Sequence, residues 1–165
     1  MIAAHGRDRM IMRKIITLVL LLPSFAIAQN DAQQATWEPF RYFVGTWEGS
    51  GKGQPGVSKT HREYKFILNG KFLYVQNRSL YEPQAKNPKG EVHEDWGLLS
   101  FDKSRKTFVL RQFHVEGFVN QYVKTESISD ARTIVFTTEQ MENIPPGWRA
   151  RETYKIVGPN EFVET

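Results

Sequence analysis

Cysteine is missing from all 165 residues. That excludes disulfides, a thiolate nucleophile, Cys-type zinc or iron–sulfur sites and a lipidated N-terminal cysteine. Long apolar runs are missing too. The longest spans Ile15 to Leu22, well short of the roughly 20 residues a membrane helix needs, so no stable membrane anchor is expected. There is no Gly-x-Ser-x-Gly nucleophile elbow. Gly51-Lys52 is not a phosphate loop, because Gly53 follows, Thr46 holds the required earlier glycine position and no helix pattern comes next.

A strong basic excess is lacking once the chain is divided. The formal net charge is +4, of which Arg7, Arg9, Arg13 and Lys14 against Asp8 place +3 in the first 28 residues. The rest of the chain carries +1 and no basic cluster, so nucleic acid is not an expected partner.

The start of the chain reads as an address. Arg13 and Lys14 precede the apolar run, Pro23 and Ser24 follow it, and Ala26-Ile27-Ala28 places small residues before a cleavage point. This pattern predicts a signal peptide over 1–28 and a periplasmic or secreted protein. A polar lead-in, 29–36, then opens a single domain over 37–165. With 40% hydrophobic and 13% aromatic residues, the chain has enough apolar material for a core.

That domain reads as a strand meander. A short amphipathic piece through Trp37, Phe40, Tyr42 and Phe43 predicts one or two helical turns that plug or cap the domain. Turn residues then recur at short intervals, with Asn69-Gly70 the strongest hairpin signal. Between the breaks, strands are expected near 45–52, 58–67, 71–81, 92–101, 107–115, 118–127, 132–141, 148–157 and 161–165. They are rich in Phe, Tyr, Val, Thr and Trp and keep no helical period. The prediction is an all-β fold, an antiparallel up-and-down barrel or a sandwich. The run 161–165 stops in mid-strand, an edge that a closed barrel would not expose. The expectation is that the chain is a fragment, a barrel incomplete at its C-terminus; the alternative is an edge strand that pairs two chains into a homodimer.

Gly45-Thr46-Trp47, with Gly49, Gly51 and Gly53 behind it, resembles the opening motif of the calycin barrels, the lipocalin and fatty-acid-binding-protein group. The fuller Gly-Thr-Trp-x-Gly-x-Gly-x-Gly is similar to nitrobindin-type haem-binding β-barrels. His93-x-Asp95-x-Gly97, His114-Val115-Glu116-Gly117 and Thr153-Tyr154-Lys155 resemble further stretches of that family. The resemblance implies a calycin-like barrel and haem as cofactor. Its proximal histidine, four residues before the Thr of the last strand, falls here on Arg149, which cannot ligate iron because it stays protonated. Independently, bare glycines at 49, 51 and 53 permit bending and close backbone approach, and Trp47 supplies a large plug.

Several residues could carry chemistry. Phe108, Leu110, Gln112, His114 and Glu116 share one strand face, apolar at one end and polar at the other, as a cavity wall would be. His114 and Glu116 are close enough to share a metal, with His93 or Glu94 as a third ligand, or to act as an acid–base pair. The bland alternative is a rim histidine bonded to its neighbours. His61 reads as solvated. In the strand 148–157, Trp148, Ala150, Glu152, Tyr154 and Ile156 alternate with Arg149, Arg151, Thr153 and Lys155. Burial preference puts the arginines in solvent. The resemblance turns Arg149 inward, where Arg149 and Arg151 would cradle a carboxylate.

The expected function is an exported β-barrel that binds a small, largely apolar ligand with an anionic or polar end. Trp47, Gln112, His114, Glu116, Arg149, Arg151 and Tyr154 are the candidate ligand-binding residues. The alternatives are a haem or nitric-oxide binding barrel, ligated through His114 or His93, and an enzyme built on His114 and Glu116.

Overall fold

The computed structural model describes residues 36–53 and 55–165. The expected signal peptide lies outside the described residues, as does the lead-in up to residue 35.

Nine antiparallel strands form one sheet in strict sequence order, curled into a half-barrel. They are β1 (Gly45–Gly53), β2 (Gly56–Ile67), β3 (Phe72–Tyr81), β4 (Glu91–Asp102) and β5 (Thr107–His114). The sheet continues with β6 (Val119–Lys124), β7 (Thr133–Glu142), β8 (Arg151–Gly158) and β9 (Glu161–Glu164). Each strand pairs with its predecessor, so β1 and β9 are the two edges. The all-β meander is thus as the sequence predicts, and its incomplete closure with it.

The turns explain the strict order. At Asn69-Gly70 the chain reverses through Leu68, Asn69 and Gly70 at φ 50°, 57° and 73°, with Ile67 opposite Phe72. Asn and Gly tolerate this left-handed region better than other residues do. The glycine-rich β1 uses its freedom at one position above all. A Cβ on Gly51 would stand 2.6 Å from Ser58 Oγ, so any side chain there displaces the Ser58 hydroxyl.

Two strand limits move. β8 starts at Arg151, and residues 148–150 run into it irregularly, with the Ala150 N–H donating to Thr138 Oγ1 at 2.7 Å. β6 ends at Lys124, and a single 3-10 turn, Glu126–Ile128, follows. The extra residue Glu139 in β7 shifts its register against β6.

The amphipathic segment forms a helical turn, α1 (Glu38–Arg41), with Pro39 in its first turn, where the missing N–H costs nothing. Trp37, Phe40 and Phe43 enter the concave face as a plug. Trp37 meets Phe66 at 5.4 Å and Phe108 at 5.1 Å, Phe40 meets Phe108 at 4.6 Å, and Phe43 meets Phe162 at 5.1 Å, all edge-to-face. The Tyr42 hydroxyl, 2.8 Å from the Gly158 carbonyl oxygen and 2.9 Å from that of Glu161, ties the plug to the β8–β9 hairpin. Trp47 Nε1 donates to the Phe43 carbonyl at 2.7 Å, so the expected plug Trp47 braces the turn instead of filling the core.

Candidate functional site

The concave face has two halves. Leu73, Leu99, Phe108, Leu110, Ile134 and Phe136 pack under α1. Beyond them the same strands present polar side chains, because alternation keeps every second residue inward. On β5 the inward series Phe108, Leu110, Gln112, His114 runs from apolar to polar, as its sequence pattern predicts.

Register assembles the polar half. Arg62 on β2 stands opposite Asn77 on β3, Asn77 opposite Asp95 on β4, and Asp95 opposite His114 on β5. Four residues from four strands thus form one row. Arg62 Nε donates to Asn77 Oδ1 at 3.2 Å, and Asn77 Nδ2 donates to Asp95 Oδ2 at 2.7 Å. Burial alone would push the Asp95 carboxyl up, but hydrogen bonds from His93 and Asn77 hold it below its ordinary value.

The histidines pair differently from the expectation. Glu116 does not partner His114. Its Oε1 lies 2.8 Å from His93 Nδ1, and His93 Nε2 lies 3.5 Å from Asp95 Oδ2. Hydrogen bonding to Asp95 first and Glu116 second pushes the His93 pKa up to about 9. Asp95 is buried, so little water screens its attraction for the His93 ring. His114 stacks on Phe118 at 4.0 Å, with its Nε2 3.3 Å from Asn120 Nδ2 and its Nδ1 buried without a hydrogen-bond partner. Burial pushes its pKa down. Gln112 Oε1 and Asn120 Oδ1 are likewise buried and unpartnered. Among the described residues, His93, Asp95 and His114 bring one ring nitrogen each and a carboxylate oxygen within 4.8 Å of one another.

A second inward cluster joins β2, β8 and β9. Arg62 pairs with Glu164 and reaches Tyr64 Oη at 3.2 Å, while Tyr154 Oη donates to Glu152 at 2.7 Å. Burial pushes the Glu152 carboxyl and the Tyr154 hydroxyl up.

Arg149 and Arg151 do not form the inward cradle. Both are exposed; Arg151 stands on the opposite face of β8 from Glu152 and Tyr154, and Arg149, in the irregular stretch before β8, donates from Nη1 to the Trp148 carbonyl at 2.8 Å. Solvation of the guanidinium groups outweighs any inward pull of the strand pattern.

Haem held as the resemblance implies does not fit these residues. The proximal position is the outward Arg149, and α1 fills the apolar half down to a pocket of about 20 Å³ bordered by Phe40, Phe43, Leu110 and Phe136. His61 is exposed and bonded to Glu48 at 2.6 Å, solvated as its sequence context indicates.

An open cleft lies at the seam. A cleft of about 700 Å³ runs between the β1 and β9 edges, lined by Trp47, Gly49, Ser58, Thr60, Arg62, Ser79, Phe162 and Glu164, among others. Of the expected ligand-binding residues, Trp47 borders this cleft, and Gln112, His114 and Tyr154 face the polar interior. Glu116 sits at the rim, bonded to His93. Sequence reasoning missed Arg62, Asn77, Asp95 and Glu164 as site residues. The available signal was the inward alternation Ser58, Thr60, Arg62, Tyr64, in which a charge stands on a face that ends in a buried aromatic.

No protein-family model matches the chain, and no curated protein matches it.

Proposed function

We propose that this is an exported binding protein that holds a small organic molecule with an anionic or polar end in the seam cleft. The observation that carries the reading is the cleft itself. At about 700 Å³ it falls in the range of small-molecule sites, roughly 300–1,000 Å³, and Arg62 lies among its hydroxyl-lined walls. Trp47 and Phe162, 4.8 Å apart edge-to-face, offer the aromatic surface on which the ligand's apolar part rests. That part is modest, because the interior apolar space is filled by Phe40 and Phe43. Arg62 spends its charge on Glu164 in the free protein, so a ligand carboxylate competes for a guanidinium that is already desolvated and positioned.

Gly49 supplies the test. It lines the cleft on the face of β1 shared with Trp47 and Gly51, and a Cβ there meets nothing within 4 Å. Gly49→Leu therefore adds a side chain at the cleft wall from a position where its Cβ has room. Anilinonaphthalene sulfonate, an aromatic probe with an anionic end, is expected to bind wild type at one site. Gly49→Leu should weaken it at least about tenfold, roughly the 1.4 kcal/mol of losing one good contact surface. Arg149→Met should bind as wild type does. Equal binding to wild type and Gly49→Leu, with unchanged thermal unfolding, would remove the cleft from the account.

A further inference from the structure

The geometry points to a divalent transition-metal site formed by His93, Asp95 and His114, with zinc as the best-suited probe. This goes beyond the binding reading and does not depend on it.

Adjacent strands bring the three residues together. His93 and Asp95 are two apart on the inward face of β4, and His114 on β5 stands directly opposite Asp95. Their ligand atoms lie within 4.8 Å of one another. Zinc bonds nitrogen and oxygen at about 2.0–2.1 Å, so the ligand atoms of a tetrahedral centre are roughly 3.3 Å apart. Small side-chain rotations close the difference. Two imidazoles and one carboxylate are a donor set that zinc and iron(II) both accept with positions left open for water or substrate.

The surroundings suit a metal as well. Glu116 Oε1 lies 2.8 Å from His93 Nδ1, which leaves Nε2 directed at Asp95. This is the carboxylate–histidine arrangement that fixes a ligating ring. Asn77 holds one oxygen of Asp95, and the Phe118 ring fixes the plane of His114. The buried Nδ1 of His114 has no hydrogen-bond partner, and Gln112, one inward step along β5, is more than nine-tenths buried with an unpartnered Oε1. Unmet polar atoms on the flank of an ion triad are costly unless something else satisfies them. A cation at this point satisfies the ring. Ser79, which lines the seam cleft, stands across from His93, so the site lies one strand from the cleft.

The test is zinc titration of chelator-treated protein by calorimetry, with cobalt(II) absorption as a second reading. The expected result is one equivalent bound and a visible band of low-coordinate cobalt. His93→Gln and His114→Gln should each weaken binding at least about 100-fold. Glu116→Gln, which removes only the orienting carboxylate, should weaken it about 10-fold. His61→Ala should bind as wild type, because His61 is exposed on the other side of the sheet and bonded to Glu48. If wild type binds no zinc at 0.1 mM, or if binding survives His114→Gln and is lost in His61→Ala, the proposal is overturned. His93 is then simply a cation between two carboxylates. Because the wild-type measurement decides by itself, a variant that fails to fold does not shelter the idea.

Discussion

At the scale of single residues, the polar interior depends on what each charge meets across the strands. His93 is the clearest case. Its ring bridges Asp95 and Glu116, and the proton it gains in the folded metal-free state is held up to about pH 9. A histidine in the unfolded chain titrates near 6.5. The stabilisation is therefore fully present below about pH 6.5 and is lost as pH rises toward 9. Ring-proton NMR of the chelator-treated protein should place the His93 midpoint near 9, and the thermal midpoint should fall across that window. A His93 midpoint at the ordinary histidine value would show that the bridge does not hold in solution. Residue-scale reading of the sequence succeeded where a strand kept simple alternation, as at Gln112 and His114. It failed where the partner sat on another strand. Pairing Glu116 with His114 followed from their spacing of two, but the β3–β4–β5 register brings Glu116 to His93 instead.

Among the elements, α1 matters out of proportion to its four residues. A helix this short has no stability of its own, so the burial of Trp37, Phe40 and Phe43 is what holds it. Phe40→Ala should cost about 3–5 kcal/mol in urea unfolding, as large-to-small core changes do. A loss under about 1 kcal/mol would mean that the turn is an appendage and the sheet holds its core alone. The strands were legible because turns and β-rich runs alternate so regularly, and all nine appear in the expected order. The start of β8 was not. Trp148, Arg149 and Ala150 look like strand residues, but the loop after Pro145-Pro146-Gly147 joins β8 irregularly and leaves Trp148 exposed. A bulge such as the extra Glu139 in β7 leaves no mark in a hydrophobic pattern, since it changes register and not composition.

For the molecule as a whole, the decisive feature is that the sheet curls without β1 and β9 pairing among the described residues. The plug occupies the apolar interior, and an open cleft of mixed polar and apolar lining lies at the seam. The proposed ligand therefore has an anionic head and a compact aromatic or aliphatic body, since the interior left by the plug, about 20 Å³, has no room for a long apolar tail. The family resemblance turned Arg149 inward and so put an anion cradle on Arg149 and Arg151, whereas burial preference put both in solvent, where they stand. In the proposed site Arg62 takes the cradle's place, on the inward face of β2 shared with Ser58, Thr60 and Tyr64. The most direct measurement is a native mass spectrum of the protein purified without denaturation, compared with Gly49→Leu. The account predicts a non-covalent companion of a few hundred daltons on wild type, the mass such clefts hold, and its loss from the variant. A companion retained by Gly49→Leu, or wild type at its bare chain mass even when anionic aromatic molecules are added, would contradict it.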